Sequence, residues 1–334
     1  MAQGVRGRCL IWTKVQLTFV VLLGAMACAR DPSATAQAAQ APAGGAGQAI
    51  VLQDDLGRTV RLRAPAQRIV SLSPAMTEIL YAVGCGDRLV LRDGWSDFPP
   101  VARKVPAIEG FAPSPEAILA TQPDLVVSHF PPPGLRTALD AAGIAWLGYA
   151  PATLPAVAAS FASIGQACGQ PAAGANLRAA FQQRLAEVRA RVAQRPAPRV
   201  FYEMDAGGGR PFTISRKSFG HEVLQAAGGT NVFADAEAPW FQVSTESVLT
   251  ADPDFILLAD AGAIDQPQSA EAVAARPGWA TLRAVRERRV VPLQIDWVSR
   301  PGPRLILGIE QIAHTLHPQA FVAVPVRQAP LPVP

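Results

Sequence analysis

The stretch Ser114-Pro-Glu116-Ala-Ile118-Leu119-Ala-Thr-Gln-Pro123-Asp124-Leu-Val-Val returns 130 residues later as Ser244-Thr-Glu246-Ser-Val248-Leu249-Thr-Ala-Asp-Pro253-Asp254-Phe-Ile-Leu. Ser, Glu, an apolar pair, Pro-Asp and a short apolar run hold register in both copies. A looser echo pairs Glu78-Ile-Leu-Tyr-Ala-Val-Gly84 with Glu222-Val-Leu-Gln-Ala-Ala-Gly228. Two matched pairs in the same chain order mean that one half of the fold repeats the pattern of the other. Each copy of the first motif has the same local reading. A Ser in capping position and a Glu in the first turn open a short helix, Pro ends it, and a strand follows.

Outward from the motif, six short apolar runs alternate with helical stretches. They are Val70–Leu72, Leu125–Val127, Ala145–Leu147 and the runs opening at Arg199, Asp254 and Arg288. Such runs, bounded by Pro, Gly or charge, read as strands. Their alternation with helices predicts α/β lobes with mainly parallel sheets. Between the copies, Leu177, Phe181, Leu185, Val188 and Val192 fall at helical spacing, with Arg, Gln and Glu opposite. Pro171 precedes this stripe, and Pro196 and Pro198 stop it. The spacing predicts a single helix of roughly 30 Å. The expected fold is therefore α/β, with similar lobes at 50–170 and 198–322 joined by one long backbone helix within 171–197.

The ends carry different signals. Arg6, Arg8 and Lys14 precede an apolar core from Leu17 to Ala27, which reads as a secretory signal over residues 1–27. The apolar core is shorter than the ~20 residues needed to span a bilayer. Cys28 after a small residue fits a lipoprotein acylation site, although Ala25 stands where Leu is usual; simple cleavage after Ala27 is the other reading. Residues 28–49 form an Ala/Gly/Pro/Gln tether and 323–334 a Pro-rich tail. The whole chain has 30 basic and 26 acidic residues; beyond residue 27 the balance is 27 to 26. The basic excess belongs to the leader, so the charge gives no nucleic-acid footprint. Cys85 and Cys168 remain in the folded part, and an oxidising compartment permits either a disulfide or two buried thiols.

No nucleophile elbow, phosphate loop or metal-ligating helix is present, so the sequence argues against an enzyme. The four histidines (His129, His221, His314, His317) are scattered, against a dedicated zinc or manganese site.

Over about 67–320 the chain resembles the periplasmic binding proteins for cobalamin, haem and ferric siderophores, whose two lobes are joined by one long helix. The opening Arg68-Ile-Val-Ser-Leu-Ser-Pro-Ala-Met-Thr-Glu78 is general to that family. Three stretches are similar to its cobalamin-binding member: Ser96-Asp-Phe-Pro-Pro100, Ala238-Pro-Trp240-Phe-Gln-Val-Ser244 and Asp296-Trp297-Val-Ser-Arg300-Pro-Gly-Pro-Arg304. The resemblance implies a monomer that hands its ligand to an ABC permease dimer with its ATPase, holds no resident cofactor, and touches the membrane only through a lipid anchor on Cys28. It implies a corrinoid ligand, with haem (through His129 or Tyr202) or a ferric siderophore as alternatives. A sensor lipoprotein without a permease is the alternative of another class. A corrin is a broad apolar plate with polar edges. Phe98, Trp95, Phe111, Trp240 and Trp297 are the expected clasp, and Asp296 and Arg300 the expected edge contacts. Arg304 is expected to cap a helix or pair with a lobe acid instead. The family places one glutamate per lobe against permease arginines, and Glu116 and Glu246 match that position. The chain departs from the cobalamin pattern at Phe98, near Gly110 and Phe111, and at Met204, where that pattern has Tyr, Trp and Phe.

Overall fold

Asp124 and Asp254, the last polar residues of the two motif copies, do the same structural work. The Asp124 carboxylate accepts the backbone N–H groups of Gln67 and Arg68 at 2.7 and 3.1 Å, and Asp254 accepts that of Arg199 at 2.9 Å. Each aspartate thus fastens the start of a central strand to the start of its neighbour. The computed structural model describes residues 49–322 apart from 111, 130, 207–209 and 262–267.

A hairpin of β1 (Ile50–Gln53) and β2 (Thr59–Leu62) leads into the first lobe. There β3 (Ile69–Leu72), α1 (Pro74–Ala82), β4 (Leu89–Asp93), β5 (Ala107–Ile108), α2 (Pro115–Ala120), β6 (Leu125–Ser128), α3 (Pro133–Ala141) and β7 (Ala145–Gly148) follow in turn. Their strands form a parallel sheet in the order β5-β4-β3-β6-β7. After α4 (Leu154–Ala167) and α5 (Pro171–Val192) come β8 (Arg199–Glu203), β9 (Phe212–Ile214), α6 (Phe219–Ala226), β10 (Thr230–Asn231), β11 (Trp240–Gln242), α7 (Thr245–Ala251) and β12 (Phe255–Leu258). The second lobe is completed by α8 (Ala270–Ala274), α9 (Arg283–Arg286), β13 (Val290–Pro292), α10 (Ile295–Val298) and α11 (Leu305–Leu316). Its parallel sheet runs β10-β8-β12-β13, the same winding as β4-β3-β6-β7. All six strands read from the sequence are present. The antiparallel ribbon β9–β11 is an addition that the sequence did not announce.

Alternation along the strands divides the core into three. Val70 and Val126 face an outer cluster with Ile118, Leu135 and Leu139; Phe201, Ile256 and Leu258 face another with Val248 and Trp279. The inner faces, through Ile69, Leu125, Val127, Val200, Tyr202 and Leu257, join one continuous cluster. The stripe on α5 (Leu177, Phe181, Leu185, Val188, Val192) lies wholly within it. Arg184 breaks the expected polar face. It is buried beside the stripe and makes a bidentate pair with Glu310 of α11, at 2.9 and 2.6 Å. Residue 184 is three after Phe181 and four before Val188, so it points into the core side of the helix rather than out of it.

The repeat-equivalent glutamates also match, in an unexpected way. Glu78 of α1 is held by Arg304, beyond the second lobe's last strand, at 2.6 and 3.0 Å. Glu222 of α6 accepts the backbone N–H of Leu154 at 2.6 Å, at the start of α4. Each glutamate leaves its own lobe and serves the other.

Candidate ligand-binding site

In wound parallel sheets, ligands sit outside the carboxyl ends of the strands. Several of the large apolar side chains left exposed by this fold lie there, in both lobes. Trp95, just after β4, is 43% exposed; Met204, just after β8, 37%; and Trp240, on β11, 44%. The ribbon carrying Trp240 grows out of the end of β8: Met204 N–H donates to Phe212 O at 2.9 Å, and Phe212 N–H to Asp205 O at 2.6 Å. Trp95 is braced from below, since its backbone N–H donates to Asp93 at 2.8 Å. Its ring also lies close over Gly110, where an added Cβ would meet it at 3.0 Å.

A second group gathers where the lobes meet. Arg300 is bonded to Asp97 at 3.1 Å and Asp296 at 2.8 Å, and reaches Glu78 at 3.5 Å. The Arg304 guanidinium lies 4.0 Å over the Phe98 ring. Of the expected contacts, Phe98, Asp296 and Arg300 are therefore brought into one network spanning both lobes. Burial opposes ionisation of Asp97, but the Arg300 hydrogen bond and charge, with Arg103 behind them, hold its carboxyl below the usual range. Burial would lower Arg304; Glu78, then Asp296 and Asp97, more than offset it and raise its pKa. Arg304 is the more buried of the two arginines, and the acid it pairs with, Glu78, belongs to the other lobe rather than its own. Arg300 is paired as well, so a ligand edge would have to share or displace its carboxylates.

Trp297 is half-buried on α10, and its carbonyl lies so close to Gly308 that a Cβ there would meet it at 2.6 Å. Phe111 and Cys28 lie outside the described residues, as do the leader, residues 28–48 of the tether, and the tail. Met204 went unread as a contact. The signal available was its place immediately after the RVFYE strand. Cys85 and Cys168 are present as free, buried thiols.

The potential metal-binding side chains are arranged differently. Tyr202 belongs to the continuous core, and burial pushes its phenol well above the ordinary range. His129 is largely desolvated, which lowers its pKa. Among the described residues no group of three or more His, Cys, Asp or Glu could hold a metal ion, and no helix is long and apolar enough to cross a membrane.

Glu116 and Glu246 occupy the first turns of α2 and α7. Ser114 Oγ and Ser244 Oγ accept the backbone N–H groups of Ala117 and Ser247 at 3.2 and 3.1 Å. Helices that return from the carboxyl end of a parallel sheet start at that end, so both glutamates lie on the same side as the exposed aromatics. Hydrogen bonds from the helix-start backbone, and then from Ser114 and Ser244, keep both carboxyls below the usual range and therefore charged.

The profile of the periplasmic binding protein family matches residues 69–295. The chain belongs to that family. The vitamin B12-binding protein of Vibrio cholerae serotype O1 is 33% identical over 257 residues, covering 74% of this chain and 88% of that one. The vitamin B12-binding protein of Yersinia pestis is 31% identical over 268 residues, 79% of this chain and 90% of the relative. The crystal structure of the Vibrio cholerae periplasmic vitamin B12 binding protein superposes with a TM-score of 0.66 at 32% identity, covering 77% of this chain and 98% of that structure. The periplasmic heme-binding protein of Roseiflexus sp. RS-1 superposes at 0.69 with 28% identity, covering 77% and 100%. These relatives are periplasmic solute-binding proteins, and the two-lobed, helix-joined α/β fold is theirs as well.

Proposed function

We propose that this chain is the capture subunit of an ABC importer, exported by its leader, which binds a corrinoid in the interlobe cleft without chemical change and presents it to a membrane permease. The observation that carries this reading is the exposure of Trp95, Met204 and Trp240 at the strand ends of both lobes. Large apolar groups left in water near the mouth of an α/β sheet need a partner to cover them, and a broad apolar plate does so. Phe98, Trp297 and Phe111 complete the clasp in this reading, and Asp296 and Arg300 meet the polar rim. The similarity to vitamin B12-binding relatives supports the corrinoid over haem, and the burial of Tyr202 in the core points the same way. Glu116 and Glu246, charged and exposed on matching helices, are the docking points for permease arginines, where register is set by charge complementarity. Cys28 is the point of lipid attachment if the leader is processed as a lipoprotein.

Calorimetric titration of the purified chain with cyanocobalamin, and separately with hemin, tests the reading. Saturable one-to-one binding of cyanocobalamin with hemin inert is the expected result. Hemin binding alone would keep the transport class and replace the ligand; silence from both would overturn the corrinoid assignment.

A further inference from the structure

We propose that Cys85 and Cys168 are a built disulfide site, closed as the chain folds outside the reducing cytoplasm, that ties the end of α1 to the C-terminus of α4. The compartment rests on the export reading above; the pairing rests on geometry. Both residues are buried, at 0% and 1% exposure, in the same core cluster. The two side chains also interact with each other. Arg88 fixes the backbone around them. Its Nη1 donates to Cys168 O and to Ala66 O, both at 2.8 Å, while its own N–H donates to Cys85 O at 3.2 Å. The turn that carries Cys85 is thus clamped to the C-cap of α4 that carries Cys168. Two cysteines held side by side in one core cluster by this clamp meet the first requirement of a disulfide, whose sulfurs lie ~2.05 Å apart.

Cys85, the earlier of the two in the chain, attacks as the thiolate. It displaces one thiolate from an oxidant of the disulfide class, R–S–S–R, and forms a mixed disulfide. Cys168, losing its proton, then attacks the Cys85 sulfur and releases the second RS⁻. Two protons and two electrons pass from the cysteines to the oxidant, which leaves as two thiols. Because both sulfurs are buried in the finished fold, exchange belongs to the folding chain, before α4 seats against α1. The consequence reaches the cleft. Helix α1 carries Glu78, the anchor of Arg300 and Arg304, and α4 is packed along the linking helix α5.

The test uses the full chain, which contains four cysteines. It is reduced, unfolded, refolded in mixed reduced and oxidised glutathione, then alkylated under denaturing conditions and mapped by mass. The expected result is alkylation at Cys9 and Cys28 only, with a cross-linked peptide joining Cys85 to Cys168. A thermal midpoint about 8 °C or more above that of the reduced chain is also expected, given the long loop closed. In a Cys85→Ser/Cys168→Ser variant the midpoint should no longer respond to reductant. Full alkylation at Cys85 and Cys168, or cross-links from either to Cys9 or Cys28, would overturn the site. If the bond forms in vitro but the chain recovered from cells is reduced, the pairing stands and the export reading fails.

Discussion

Replacing Trp240 by alanine probes the cleft most directly. The side chain is 44% exposed without ligand. A tryptophan presents about 250 Å², so about 110 Å² of it remains for a ligand to cover. At about 25 cal/mol per Å² that area is worth about 2.8 kcal/mol, or about a hundredfold in Kd. Contact over half of the area would still give about tenfold. Trp240→Ala is therefore expected to weaken cyanocobalamin binding by 10- to 100-fold in calorimetry, with a less negative heat-capacity change on binding. Trp240→Phe should recover most of the loss. The thermal midpoint of the unliganded protein should barely move, because a side chain half in water contributes little to the core. Binding within about threefold of the parent, with midpoint unchanged, would remove Trp240 from the site and refute the argument from exposure.

Glu78→Gln leaves Arg304 buried opposite a neutral partner. A loss of about 3 kcal/mol or more in urea unfolding is expected, and Arg304→Met in the same background should recover part of it; an additive double variant would deny the coupling. Glu116→Ala with Glu246→Ala should leave ligand affinity and thermal midpoint unchanged while abolishing ligand uptake in cells, and undiminished uptake would remove the docking role. Asp260, after β12, is 2% exposed, and neither of its carboxylate oxygens meets a hydrogen-bond donor on another described residue. Burial, followed by the charge of Glu203, pushes it up to about 7 despite Arg276 nearby. A folded pKa above the unfolded one means that its stabilising contribution is full below about pH 4 and is lost as pH rises through 7. Asp260→Asn should therefore flatten the fall in thermal midpoint between pH 5 and 8, and parallel pH profiles for the two proteins would show Asp260 to be ionised when folded.

Much of the fold is legible because apolar periodicity is local. The stripe from Leu177 to Val192 is buried as its spacing requires, and each strand run from Val70 to the RRVV segment is a strand. The limits have equally local causes. Arg184 sits where a helix read as two faces assigns it to solvent, and the bidentate pair with Glu310, 126 residues away, makes its burial tolerable. The ribbon β9–β11 has three residues per strand, too few for an alternation to register. Aromatic identity and strand-end position brought out Trp95 and Trp240; Met204 shares the strand-end position but is not aromatic. The network at Arg300 and Arg304 joins groups as far as 226 residues apart. No spacing rule connects them, so Asp296 and Arg300 could be named while the pairing of Arg300 with Asp97 and Glu78 could not.

The crossed glutamates make the repeat more than a likeness of topology. A lobe that came apart from its twin would lose the carboxylate facing Arg304 or the one that caps α4, together with half of a core that runs unbroken through α5. The two similar halves are each other's missing parts, so the molecule should melt in one transition and neither half should fold when expressed alone. Capture of a ligand should then act on a single cooperative body rather than on two independent ones.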